Sequence, residues 1–244
     1  MKGKLIFLLV IALVLTACAA PSPVPTATSV PTAEPALTPT TTVAATDVPS
    51  GATPTSSNAQ SDGSSEIEYK VIAAESQVRY EVGETFINQN NKFATAIGVT
   101  NGIEGSVFAN LAEPQKSRLG EFKIDISQFK SDSSRRDGAI QNRWLESAKF
   151  PIAVFTPGKI EGLPEQYVEG QAYPLKVTGD LTVREATRPV TFDLSVTLQG
   201  DTLTGTASTQ LLMSDFGVGP ISIAGILNTE DAVKLFFDFV ARPE

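Results

Sequence analysis

No histidine occurs among the 244 residues, and cysteine occurs once, at Cys18. Without histidine the chain lacks the usual general base, the commonest zinc ligand and the imidazole of Ser-His-Asp or Cys-His sites. A lone cysteine rules out an internal disulfide and CxxC redox chemistry. No GxSxG elbow, Walker loop or EF-hand loop is present either. Asp215-Phe216-Gly217 spells a kinase triplet, but no glycine-rich phosphate loop or catalytic-loop histidine accompanies it, so it reads as chance. No cofactor or metal site is expected, and the chain is not expected to be an enzyme. Basic charge is also scarce, with 19 Lys and Arg against 27 Asp and Glu, a formal charge of −8. Such a surface repels nucleic acid and anionic headgroups.

The single cysteine has a telling position. Lys2 and Lys4 precede an eleven-residue apolar run, Leu5 to Leu15, too short for the roughly 20 residues of a permanent span. Leu15-Thr16-Ala17-Cys18 follows at once and resembles a lipobox, with small Ala17 before a cysteine that would carry diacylglyceryl. The competing reading is an ordinary secretory signal with an incidental cysteine. On the lipobox reading, residues 1–17 are a lipoprotein signal peptide and Cys18 is the lipidation site. The chain would then be exported to the cell envelope and held to the membrane through its N-terminal lipid alone. Loss of Lys2 and Lys4 leaves 17 basic against 27 acidic residues, or −10, of which −7 falls after residue 65.

Residues 18–65 form a second region. From Ala19 to Ser65, Ala, Pro, Ser and Thr make up about three quarters of the chain, and Phe, Trp and Tyr are absent. Such a stretch cannot bury enough surface to offset its chain entropy and is expected to be a disordered stalk. Its prolines favour extended polyproline-II conformations, with a reach of roughly 145 Å at full extension at about 3.1 Å per residue.

Residues 66–244 have a different texture, dominated by period-two alternation. Phe122 to Ile126, Leu175 to Arg184, Val190 to Gln199, Val78 to Val82 and Leu203 to Ala207 alternate apolar and polar residues, and Leu235, Phe237 and Phe239 mark a last strand. This pattern predicts antiparallel strands with one face in an apolar interior. Turn signals fall at Arg184-Glu185-Ala186-Thr187 and Gln199-Gly200-Asp201. One segment departs from it: Asp137 to Ser147 places Ile140, Trp144 and Leu145 at helical spacing, with Asp137 as N-cap.

In their order along the chain, these features resemble the YceI-like family. The resemblance runs from about Tyr69 to Ala241. It is carried by Ile103-Glu104-Gly105-Ser106-Val107, Ile124-Asp125-Ile126, Ser134-Arg135-Arg136-Asp137 before Trp144-Leu145, and Lys149-Phe150-Pro151-Ile152-Ala153-Val154-Phe155. Thr178 to Arg184, Thr187-Arg188-Pro189-Val190 and Ser214 to Val218 continue it. The resemblance implies an all-β fold, an eight-stranded antiparallel lipocalin-like barrel with one short helix. It also implies an elongated channel for a polyisoprenoid-type lipid. Family members often carry a histidine after the opening strand, where this chain reads Glu84-Thr85-Phe86-Ile87-Asn88-Gln89-Asn90, which puts the headgroup preference in question.

The channel-lining candidates are Ile124, Ile126, Trp144, Phe155, Val177, Leu181, Phe192, Leu194 and Phe216. Trp144 and Phe155 fit channel lining and simple core equally well. Arg135-Arg136-Asp137 reads as a capping and surface-pairing element in preference to an anion site. Asp125, Asp132 and Glu146 read as solvated carboxylates in preference to a glycosidase pair. Three functions remain open: a carrier or buffer of an apolar, isoprenoid-like lipid; an envelope lipoprotein with a structural or partner-binding role and no small ligand; and an enzyme.

Overall fold

The computed structural model describes residues 66–244. The signal-peptide, Cys18 and stalk assignments, residues 1–17 and 18–65, lie outside the described residues.

All strands belong to one antiparallel sheet that curls around an apolar interior. In chain order they are β1 (Glu66–Val71), β2 (Gln77–Phe86), β3 (Lys92–Thr100), β4 (Ile103–Glu104) and β5 (Ser106–Asn110). Next come β6 (Arg118–Leu119), β7 (Phe122–Asp125) and β8 (Lys130–Ser131), then the helix α1 (Ser134–Ala139) and a single π-helical turn at Ile140–Trp144. The chain ends with β9 (Ile152–Glu161), β10 (Ala172–Val183), β11 (Ala186–Gln199), β12 (Thr202–Leu212), β13 (Ser222–Ile223) and β14 (Leu227–Pro243).

The fourteen strand segments correct the expected count of eight. Period two marks which residues face inward, but not where a ladder is interrupted. The breaks have local causes. Gly105 separates β4 from β5, 3-10 turns sit at Ala73–Glu75 and Ile87–Gln89, and β14 bulges between Thr229 and Val233 opposite β2. Ile126 is a second correction. It lies in a 3-10 turn, Ile126–Gln128, beyond the end of β7, where the Asp125 side chain accepts from the Ser127 N–H at 3.0 Å. The side chain of Ile126 is nevertheless buried.

From β9 to β12 the sheet is built of consecutive hairpins. Residues Arg184 and Glu185 turn β10 into β11, a tighter turn than the four residues expected, since β11 already begins at Ala186. Gly200, with φ of 55°, turns β11 into β12, a conformation that glycine adopts without steric cost. The 17-residue β14 then holds β12 on one side and both β1 and β2 on the other.

The helix starts earlier than its apolar spacing indicates. Ser133, and not Asp137, is the N-cap, its hydroxyl accepting from the Arg136 N–H at 3.3 Å. Asp137 lies inside the helix and is buried. Its carboxylate turns back to accept from the Ser131 N–H at 3.0 Å and the Ser131 hydroxyl at 2.6 Å. Strand β8 and the helix are thereby locked together.

Candidate functional site: an apolar cavity with a charged pair

A cavity of about 340 Å³ occupies the interior of the curled sheet. Its wall is drawn from three packed clusters. One centres on Val78, Tyr80, Val82, Ile103, Ile126 and Phe129; a second on Phe155, Val177, Leu181, Val190 and Phe216; a third on Tyr69, Leu198, Leu203 and Phe239. Alternation explains the lining. In β10, Leu175, Val177 and Leu181 point inward, while Lys176 and Asp180 point out. In β11, Phe192, Leu194 and Val196 do the same, and in β14 it is Val233, Leu235, Phe237 and Phe239. The volume falls within the range of small-molecule sites, which are mostly apolar with a few placed polar groups.

All nine candidate residues, Ile124, Ile126, Trp144, Phe155, Val177, Leu181, Phe192, Leu194 and Phe216, border this cavity. Val177 is the most enclosed, at 2% exposure. Phe155 meets Phe192 edge-on with ring centroids 5.0 Å apart, so the cavity wall there is also packed core. Trp144 is held by its backbone: its carbonyl accepts from Arg184 Nη1 at 3.0 Å, and the same guanidinium pairs with Glu146. The β10–β11 turn thus pins the π-helical segment over the cavity.

The polar groups were not apparent from the alternating runs alone. Glu84 borders the cavity with its side chain only 5% exposed. Arg136 meets it as a two-pronged pair, Nε to Oε1 at 3.1 Å and Nη2 to Oε2 at 2.9 Å. Nη1 of Arg136 donates to the Ser131 hydroxyl at 3.2 Å and to Asp132. Arg136 is therefore half-buried and bridges the buried Glu84 and the exposed Asp132, so its pairing reaches further inward than the surface-pairing expectation for Arg135-Arg136-Asp137. The signal for Glu84 was present: Val78, Tyr80, Val82 and Glu84 share one parity in β2, and that parity faces the interior. A carboxylate at an inward position needs a partner, and Arg136 supplies it.

Tyr80 stands beside this pair. Its ring crosses Gly98 of the neighbouring strand so closely that a Cβ there would lie 2.2 Å from Tyr80 Cε1. Burial pushes the Tyr80 phenol up to about 12, so the hydroxyl stays protonated at neutral pH. Thr229, directly across from Glu84 in the sheet register, also borders the cavity.

Asp125, Asp132 and Glu146 are not brought together. Asp125 engages Ser127 and Gln128, Asp132 engages Arg136, and Glu146 engages Arg184. Among the described residues, no group of three or more acidic or sulfur ligands is placed to hold a metal.

A curled antiparallel sheet around an apolar cavity is the architecture of ligand-enclosing β proteins. Within that class the sequence matches the YceI-like domain over residues 69–241, and the chain belongs to the YceI-like family. Among its relatives, a UPF0312 protein of Pseudomonas putida (strain GB-1) is 24% identical over 176 residues, covering 68% of this chain and 88% of the relative. Protein YceI of Salmonella newport (strain SL254) is 26% identical over 134 residues, covering 53% and 65%. Two solved structures share the fold. BcnA of Burkholderia cenocepacia has a TM-score of 0.52 at 22% identity, covering 70% of this chain and 98% of its own. A polyisoprenoid-binding domain from Saccharophagus degradans, implicated in plant cell wall breakdown, has a TM-score of 0.54 at 13% identity, covering 73% and 99%.

Proposed function

We propose that the chain is an exported lipoprotein whose sheet encloses one apolar, isoprenoid-like chain, acting as a carrier or buffer and not as an enzyme. The observation that carries this reading is the largely apolar lining of the 340 Å³ cavity, interrupted by the Glu84–Arg136 pair and by Asn110, Ser117 and Arg118. The polyisoprenoid binding of the Saccharophagus degradans domain supports the ligand class. On this reading the sheet acts as an eight-stranded barrel. Support comes from the ends of its main ladder, β4 and β6: Gly105 alone joins β4 to β5, while Gly120 and Glu121 alone join β6 to β7. The ladder's two ends are thus neighbouring pieces of the same two interrupted strands.

Energetics favour a buffer over a trap. Burying an isoprene unit from water contributes roughly 3–4 kcal/mol at about 0.8 kcal/mol per carbon. The competing environment is a bilayer of similar apolarity, so transfer between the two is nearly neutral. Selectivity then rests on the width and length of the cavity and on its few polar groups.

Envelope location and anchoring rest on the Leu15-Thr16-Ala17-Cys18 pattern. Replacing Cys18 with Ser is expected to abolish incorporation of labelled fatty acid, and continued labelling would remove the anchor from the account. For the ligand, protein purified gently from its host is expected to release an apolar lipid on organic extraction, at about one per chain. Repeated extraction without lipid would favour an envelope lipoprotein that has a structural role and no small ligand.

A further inference from the structure

The charged end of the cavity does more than close it. Its groups come from four elements: Tyr80 and Glu84 on β2, Arg136 on the helix, Ser131 on β8 and Thr229 on β14. The charges that bear on Tyr80 are those of Arg136, Asp137, Glu84 and Asp132, one positive against three negative.

The hydrogen-bonding capacity left over here includes uncommitted donors. Both Glu84 oxygens already accept from Arg136. The Arg136 guanidinium is committed on all three nitrogens, to Glu84, Asp132 and Ser131. The Tyr80 hydroxyl, on a residue only 9% exposed, has no hydrogen-bond partner among the described residues, and it is a protonated donor. The Thr229 hydroxyl oxygen accepts from the Ile221 N–H at 2.8 Å, which leaves its own proton to donate. Spare donors next to an excess of negative charge suit an oxygen that accepts a hydrogen bond and carries no charge.

Building on the lipid-binding reading above, we propose that Glu84, Arg136, Tyr80 and Thr229 form a headgroup site that selects apolar chains ending in an uncharged oxygen. An alcohol or a carbonyl meets this description, and a phosphorylated head does not. Glu84 is the residue that sets the exclusion. It occupies Arg136, the cation at this end that would otherwise receive a phosphate, and adds a negative charge of its own, while Arg118, which also borders the cavity, is paired with Glu66. Tyr80 supplies the positive recognition.

The mature full chain, freed of lipid, carries its own reporter. Trp144 is the only tryptophan and borders the cavity. Its fluorescence would follow binding of two probes with the same chain, geranylgeraniol and geranylgeranyl diphosphate, with native mass spectrometry confirming stoichiometry. The alcohol is expected to bind the wild type at least about tenfold more tightly, the scale of one like-charge contact away from bulk water. Glu84→Gln, which frees the guanidinium, is expected to shrink that preference by about tenfold. Tyr80→Phe keeps the ring and is expected to weaken the alcohol by about two- to tenfold while leaving the diphosphate unchanged. A wild type that binds the diphosphate as well as the alcohol would overturn the headgroup site and leave the lipid-binding cavity standing. So would a Glu84→Gln variant with an unchanged ratio. If neither probe binds, the cavity reading fails and the headgroup site fails with it.

Discussion

Strands β10, β11 and β12 run for 12, 14 and 11 residues, whereas β4, β6 and β8 have two residues each. Of the short set, β4 and β6 wall the same cavity as the long strands, through Ile103, Arg118 and Leu119, yet the two sides of the cavity contribute different chemistry. The long hairpins contribute Val177, Leu181, Phe192, Leu194 and Leu203, all apolar. The other side contributes Arg118 from β6, Arg136 and Trp144 from the helical segment, and Tyr80 and Glu84 from the ten-residue β2, whose pairing with β14 bulges beside Glu84. The physical reason is backbone geometry. A regular ladder satisfies its own N–H and C=O groups and offers a flat row of side chains, whereas breaks and short helical turns let polar side chains approach from several directions. Regularity builds the apolar wall, and irregularity places the few polar groups.

That contrast can be broken most forcefully in the long wall. Leu181→Asp puts a carboxylate at a position only 5% exposed with no partner, and is expected to cost several kcal/mol or prevent folding. Ser195→Asp, on the exposed face of β11, is expected to change stability by less than about 1 kcal/mol. Urea unfolding would separate the two. Similar midpoints would mean that the alternation does not sort interior from surface.

In the interrupted wall the sensitive residue is Arg136. Its replacement by Ala leaves Glu84 buried without its cation and is expected to cost about 3–5 kcal/mol. Replacing both partners, Arg136→Met with Glu84→Leu, should recover much of that loss, because no charge is then left unpaired. A double variant as unstable as Arg136→Ala would show that the helix, and not the ion pair, sets the stability there.

A smaller effect comes from Tyr80. Its folded-state value of about 12 lies above the ordinary tyrosine value near 10, so the folded state holds this proton more tightly than the unfolded chain. The associated stability is fully present below about pH 10 and is lost as pH rises toward 12, by about 2 kcal/mol. Tyr80→Phe should flatten that part of the wild-type stability curve, measured by denaturant unfolding between pH 8 and 12. Between about pH 5 and 8 neither protein has a histidine to titrate, and ligand retention should change little.

The two walls also differed in how much of them the sequence disclosed. Period two in Leu175 to Arg184 and Val190 to Gln199 pointed to β10 and β11 and to the inward side chains of each. The count of eight strands became fourteen segments because Gly105 and short turns such as Ala73–Glu75 and Ile126–Gln128 interrupt the strands, and the buried parity shifts across a break, from Tyr69 in β1 to Val78 and Tyr80 in β2. Helical spacing of Ile140, Trp144 and Leu145 found the helical segment but misplaced its start, since Ser133 caps it and Asp137 instead ties it to Ser131. Arg136 looked like surface because an arginine near a helix start usually is. Its inward pairing depends on Glu84, 52 residues away, and no local pattern reports a pairing at that distance.

Leu194→Trp tests the central claim, occupancy of the cavity by an apolar chain, most directly. Leu194 is partly buried and borders the cavity, so the larger side chain fills space without adding charge. The measurement is native mass spectrometry of wild-type and Leu194→Trp proteins purified side by side from the same host, with urea unfolding to show that both fold. The account predicts one bound apolar lipid per wild-type chain and a marked loss from the folded variant. A folded Leu194→Trp that keeps its lipid in full would contradict occupancy at this position, and a wild type without lipid would contradict the claim as a whole.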